Sequence, residues 1–237
     1  MQKNKIYILS TRPVGVELIT EAAKKDIIID EISFIDTEEI IDTSTKKKIQ
    51  ELSCQNITAV FTSMNAAEAV GNLIPNETAW KIFCIGNTTK KIVKKIFGEK
   101  NIAGTADNAD QLAEKIVDDG LIKNIVFFCG DQRRDELPEK LKNNGVKVEE
   151  IVVYKTIETP HLLSKHYDGI LFFSPSAVQS FFTKNSINDK TRLFAIGDTT
   201  GRAAQPFTQK PVIIAEMPGK ENLVNLAIKH FSTSKIF

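Results

Sequence analysis

AVFTSMNAAEAV at residues 59–70 and GILFFSPSAVQSFF at residues 169–182 are two versions of one pattern. Each begins as a short apolar strand, continues as Ser-x-Asn-Ala or Ser-x-Ser-Ala, and ends in an apolar helix start. Ser63 and Ser174 therefore fall on a strand-to-helix turn, 111 positions apart. FCIGNTT at 83–89 and FAIGDTT at 194–200 repeat at the same spacing, with Gly86 answering Gly197, and Leu112 answers Leu223 likewise. One offset shared by three separate matches is the signature of a duplicated βα array.

The units on either side of these repeats follow suit. KIYILS at 5–10 reads as a strand, stopped by Thr11, Arg12 and Pro13, and helical spacing follows over 16–24. NIVFFC at 124–129 opens an equivalent unit through the loop GDQRRD into a helix ending at Asn143, and residues 137–156 align with residues 18–37 without a gap. The second array is expected to leave its first helix near Ile74, Pro75 and Asn76. Naming the units by likeness, the chain runs A, crossover, B′C′D′A′, crossover, B, C, D. Sequential βα units neighbour one another in one sheet. The expected class is therefore α/β: two flavodoxin-like parallel-sheet lobes joined by a two-stranded hinge, with the first domain discontinuous. Lobe one would take residues 1–35 and 157–237 and lobe two residues 36–156, the crossings near 35–39 and 154–159 pairing as the hinge.

Composition narrows the function classes. Hydrophobic content of 42% and charged content of 26% suit a globular chain. No apolar run approaches the ~20 residues of a membrane helix, and the first residues carry no secretion signal pattern. Three scattered cysteines without CxxC spacing, Cys54, Cys84 and Cys129, point to small core residues in a reduced, cytoplasmic setting. A net charge of +1 disfavours nucleic-acid binding, and the lysine runs at 46–48, 90–91 and 94–95 read as solvated helix faces. The three histidines have no metal-ligand spacing. Nucleotide-binding glycine motifs and a Ser/His/Asp set are absent, so neither a metal nor a cofactor is expected.

In open parallel sheets, ligands lie beyond the carboxyl ends of the strands. The loops there are rich in small and hydroxyl residues: Thr62, Ser63, Gly86, Thr88, Gly130, Ser174, Ser176, Gly197, Thr199 and Thr200. Helix N-termini with unsatisfied N–H groups and short hydroxyls suit an anion with several carboxylates, and Arg12 and Arg133 on neighbouring loops could add charge. The bland reading stands beside this one: Ser and Thr are ordinary N-cap residues, and a duplication copies caps as well as sites. Tyr154, at the end of an apolar strand, could offer its hydroxyl or simply pack.

Taken in order, FTSMNA at 61–66, CIGNTT at 84–89, CGDQRRDELPEKLKNNGVKVEEIVVYKT at 129–156, FFSPSAVQSFF at 172–182 and AIGDTT at 195–200 resemble the uroporphyrinogen-III synthase family. With TRP at 11–13 these stretches span nearly the whole chain. The resemblance implies a two-lobed fold and a lyase that closes the linear tetrapyrrole hydroxymethylbilane to uroporphyrinogen III, losing water and inverting ring D through an azafulvene and a spiro intermediate. It implies Tyr154 as the hydrogen-bond donor assisting hydroxyl departure. The serines, threonines and glycines named above would then hold acetate and propionate groups. A monomer is expected, and a transient contact with hydroxymethylbilane synthase is left open. The competing reading is a non-catalytic bilobal binder of an anionic small molecule.

Overall fold

Parallel strands buried on both faces need near-continuous apolar runs, and those runs are what the chain supplies between its helices. A computed structural model describes residues 5–75, 78–217 and 219–233. The expected helix end near Asn76 falls partly outside them. Two compact units emerge, one from residues up to Asp36 together with those from Ile157 onward, the other from Thr37–Thr156.

The first unit opens with β1 (Ile6–Ser10), α1 (Val16–Ala23) and β2 (Ile27–Glu31), after which β3 (Ile35–Glu39) carries the chain into the second. There follow α2 (Thr43–Ser53), β4 (Thr58–Phe61), α3 (Met64–Gly71), β5 (Lys81–Ile85), α4 (Asn87–Phe97), β6 (Ile102–Ala106) and α5 (Ala109–Asp118). The second unit closes with β7 (Asn124–Gly130), α6 (Glu136–Asn143) and β8 (Lys147–Glu158). The first unit is then completed by β9 (Gly169–Phe172), α7 (Pro175–Lys184), β10 (Arg192–Ala195), α8 (Asp198–Ala204), β11 (Ile213–Ile214) and α9 (Lys220–Thr233).

The first sheet runs β2-β1-β9-β10-β11, every neighbouring pair parallel. The second runs β3-β8-β7-β4-β5-β6, parallel from β8 to β6. Matched by the sequence repeat, β1 answers β7, β9 answers β4, β10 answers β5 and β11 answers β6. Both units therefore have the same spatial order, although the second reaches it in a permuted chain order. The flavodoxin-like α/β class holds in each.

The aligned segments after β1 and β7 differ in one respect. In the first copy β2 stops at Glu31, the Ser33 hydroxyl donates to the Ile35 carbonyl at 2.6 Å, and the chain restarts as β3. Phe34 sits fully buried in that interval, edge-on to Phe181 at 5.2 Å. In the second copy Val153 is the buried residue at the matching place, and β8 runs on unbroken to Glu158. β3 lies beside β8 in the sheet order. Ile40 N–H donates to the Val153 carbonyl at 3.2 Å and Thr159 N–H to the Phe34 carbonyl at 3.0 Å, which makes the two strands antiparallel.

Each unit packs its own aromatic centre. In the second, Phe61 stacks on Phe128 at 5.3 Å, and Trp80 lies at 5.6 Å from Phe128 with its indole N–H donating to the Leu52 carbonyl. Such ring pairs contribute about 0.5–1.5 kcal/mol beyond the area they bury. Cys84 and Cys129 are buried as expected of core thiols, and burial pushes both up to about 11. Cys54 corrects that expectation: it follows the last residue of α2 and is exposed.

Candidate active site

Ser63 lies two residues beyond β4 in extended conformation and caps α3, its Oγ accepting from the Asn65 N–H at 3.2 Å. The same oxygen accepts a second bond, from the Tyr154 hydroxyl at 3.0 Å. The sheet order makes this possible, since β4, β7 and β8 are successive neighbours. Tyr154 does not end its strand, as the sequence suggested. It lies inside β8, opposite Gly130, the last residue of β7, just past a register shift. A Cβ on Gly130 would stand 2.4 Å from Tyr154 Cζ, so only glycine lets the ring lie across the strand end and reach Ser63. The loop after β7 fastens the same strand: Asp131 N–H donates to the Tyr154 carbonyl at 3.0 Å, and the Asp131 carboxylate accepts from Thr156 N–H at 2.9 Å. Burial raises the Tyr154 phenol above its usual pKa, with the Ser63 bond pulling the other way, so the hydroxyl keeps its proton at neutral pH.

The neighbouring turns of this unit are less committed. Thr62 is half-buried between Phe61 and Ser63. Gly86 opens α4 with φ of 68°, a left-handed conformation that favours glycine, and its N–H is already bonded to the Ala106 carbonyl. Thr88 is exposed on the first turn while Thr89 is buried. Beside Gly86, an open cavity of about 320 Å³ is lined by Lys90, Thr105, Gln111 and Lys115 among others. In the sequence Lys90 reads as part of a solvated helix face and Lys115 is not singled out, because only the β5-β6 pairing brings α5 beside the start of α4. Arg133 is half-buried, its guanidinium bonded to both Glu150 and Asp135. Burial works against that charge, but the two carboxylates outweigh it and raise its pKa. Its charge is thus answered within the protein.

In the first unit, Ser174 caps α7 from an extended backbone, accepting from the Ala177 N–H at 3.2 Å, with Pro175 in the first helical position. Ser176 is buried at 7% exposure. Gly197 precedes α8 in extended conformation with open space where a Cβ would be. Thr199 is exposed, whereas Thr200 is 4% exposed and faces the interior rather than the rim. Thr88 and Thr89 show the same division. Arg12 is exposed, its guanidinium 5.5 Å from the centre of the Phe173 ring. Among the described residues no cluster of three or more His, Cys, Asp or Glu could hold a metal ion.

A duplicated, doubly wound parallel α/β protein with small and hydroxyl residues at the carboxyl ends of its strands belongs to the class of folds that take ligands at those strand ends. Within that class the chain belongs to the uroporphyrinogen-III synthase family, whose model, described as uroporphyrinogen-III synthase HemD, matches residues 16–225. It is 30% identical over 204 residues to the uroporphyrinogen-III synthase of Saccharomyces cerevisiae, covering 70% of this chain and 73% of that protein. The uroporphyrinogen-III synthase of Schizosaccharomyces pombe is 23% identical over 157 residues, 61% of this chain and 60% of that protein. Among solved structures, the uroporphyrinogen-III synthetase of Helicobacter pylori superposes with a TM-score of 0.61 at 15% identity, over 96% of this chain and 100% of that one. A mutant of the Thermus thermophilus synthase gives 0.60 at 12% identity, over 97% and 99%. At such identities these two speak for the fold alone.

Proposed function

We propose that the chain is a lyase that closes hydroxymethylbilane to uroporphyrinogen III, in the tetrapyrrole route that leads to haem. The observation that carries this reading, beside family membership, is the Tyr154–Ser63 hydroxyl pair held against Gly130 at the carboxyl ends of β4 and β7. That pair supplies a hydrogen-bond donor for departure of the substrate's hydroxyl group. Loss of the C–O bond, with the pyrrole N–H proton leaving on the oxygen as water, gives an azafulvene. The substituted carbon of ring D attacks it to form the spiro intermediate, and fragmentation with reclosure gives the inverted ring.

Bond making here is easy, and uncatalysed closure yields the uninverted isomer. The protein's task is therefore to choose which carbon attacks, through positioning and exclusion of water. Thr62, Gly86, Thr88 and the cavity with Lys90 and Lys115 would hold acetates and propionates in one unit, and Arg12, Ser174, Gly197 and Thr199 in the other. Thr200 and Ser176, being buried, would shape those turns, and Arg133 would brace the loop beside Tyr154. The two units act as domains whose double chain crossing is the proposed hinge. The chain works as a monomer in the cytoplasm, and no helix among the described residues is long and apolar enough to cross a membrane. Incubation with hydroxymethylbilane generated in place, followed by oxidation and separation of isomers, tests the reading. Type III porphyrin is expected; a product wholly of type I would leave a binder of anions and remove the enzyme.

A further inference from the structure

A serine hydroxyl offers one hydrogen and two lone pairs. At Ser63 both lone pairs are taken, by the Asn65 N–H at 3.2 Å and by the Tyr154 hydroxyl at 3.0 Å. Tyr154, in making that bond, has turned its only hydrogen toward Ser63 and away from any ligand. What is left is the hydrogen of Ser63 itself, and among the described residues none accepts it. The residue is half-buried on a turn at the carboxyl end of β4, so that hydrogen has an opening to leave by.

Among the described residues the other unit lacks this arrangement. Ser174 accepts one bond, from Ala177 N–H, and so keeps a lone pair and a free rotor. In the gapless alignment of residues 137–156 with 18–37, the place of Tyr154 is taken by Ile35, which has no hydroxyl to give. Duplication thus kept the capping serine twice and a tyrosine over it once.

We propose that Ser63 is the donor that meets the departing hydroxyl of the substrate, and that Tyr154 is its positioning residue, filling the second lone pair so that the Ser63 hydrogen can only point outward. The inference rests on the reading that the chain makes uroporphyrinogen III. Ser63 contributes a hydrogen bond and no proton: the C–O bond breaks, the oxygen departs as water with the pyrrole N–H proton, and both side chains end as they began. A fixed donor is worth more than a rotating one because no reorientation is needed as charge develops on the oxygen. Gly130 belongs to the same device, since its missing Cβ is the space in which the tyrosine ring lies.

The test is a double-mutant cycle on the full chain: Ser63→Ala, Tyr154→Phe and the pair, with kcat and KM for type III formation and a thermal melt for each. Ser63→Ala should lower kcat about hundredfold with KM little changed, and Tyr154→Phe about tenfold, because the serine keeps its hydrogen but loses its direction. The pair should be no slower than Ser63→Ala alone, and Ser63→Thr should recover part of the rate. If alanine loosens α3, Ser63→Gly takes its place, since glycine is tolerated at an N-cap. A larger loss from Tyr154→Phe than from Ser63→Ala, or losses that multiply in the pair, would put Tyr154 on the substrate and overturn the proposal. So would a rise in KM alone on changing Ser63, which would make it a carboxylate holder. Failure of the unaltered chain to form type III product is a different result, and it would remove the functional reading itself.

Discussion

The turns at Ser63 and Ser174 have the same backbone: each serine is extended, each lies two residues beyond a buried strand, and each caps a helix through its side chain. What differs is what lies above them. Over Ser63 a phenol comes from β8, two strands away in the sheet; the matching residue for Ser174 is Ile35, a partner in the apolar cluster with Phe34 and Phe181. A cap is satisfied by one bond, so the second bond at Ser63 has no role in ending a strand or starting a helix. The comparison separates what the duplicated scaffold requires from what has been added to one copy, and the addition is chemical.

The harshest way to break the comparison is to fill the space under the phenol. In Gly130→Ala the new Cβ would meet Tyr154 Cζ at 2.4 Å and the hydroxyl oxygen at 2.8 Å, and the ring must swing off Ser63. We expect the rate of type III formation to fall by about tenfold or more, at least the loss expected of Tyr154→Phe, because the displaced ring no longer directs the Ser63 hydrogen. A rate equal to that of the unaltered chain would show that the ring's seat is irrelevant. Adding Tyr154→Ala to this variant should relieve the clash without restoring the rate, while the ring's lost packing still lowers the melting temperature.

A second contrast is between the arginines that follow β1 and β7. Arg12 lies exposed over an aromatic ring, while Arg133 is bonded by Glu150 and Asp135. Burial opposes the charge of Glu150, yet bonds from Lys142 and Arg133 outweigh it and hold its carboxyl below the ordinary range. A carboxyl depressed in the folded state gives stability that is fully present above its unfolded value and is lost as pH falls through the folded one. The unaltered chain should therefore lose stability on acidification below about pH 4.5, and Glu150→Gln should show a shallower loss. At neutral pH that variant should be less stable by about 1–2 kcal/mol in urea melts. An identical pH profile in the two proteins would remove Glu150 from the clamp.

Much of this frame is legible in the residues themselves. The constant offset between Ser63 and Ser174 and between Gly86 and Gly197 places four turns, and the equal strand order of the two sheets follows from matching the units. The gapless alignment even exposes Ile35 opposite Tyr154. What is not legible is contact at long range. The bond from Tyr154 to Ser63 spans 91 positions and exists because β7 lies between β4 and β8. Thr199 and Thr200 are neighbours in sequence, yet about 100° of helical rotation sends one to solvent and the other to the interior, and α8 is too short for its periodicity to say which. Arg133 looked available as an anion ligand because Glu150, which answers it, lies beyond a helix on the next strand.

The mildest change sharpens the opening comparison most. Ser174→Ala removes one capping bond, to the Ala177 N–H, and should cost about 1 kcal/mol of stability. Pro175 in the first helical position is already pre-set for the helix, which places the cost at the low end of that scale. Ser63→Ala removes an equivalent cap together with the acceptor of the Tyr154 hydroxyl and should cost more in a melt, but a melt does not tell a structural bond from a donor to substrate. Rate does: if only the second unit holds a directed donor, Ser174→Ala should raise KM for hydroxymethylbilane by a few-fold at most and leave kcat near its original value. Equal falls in kcat from the two alanines would mean that both turns present donors to the reacting atoms, and that the phenol over Ser63 sets no difference between the halves.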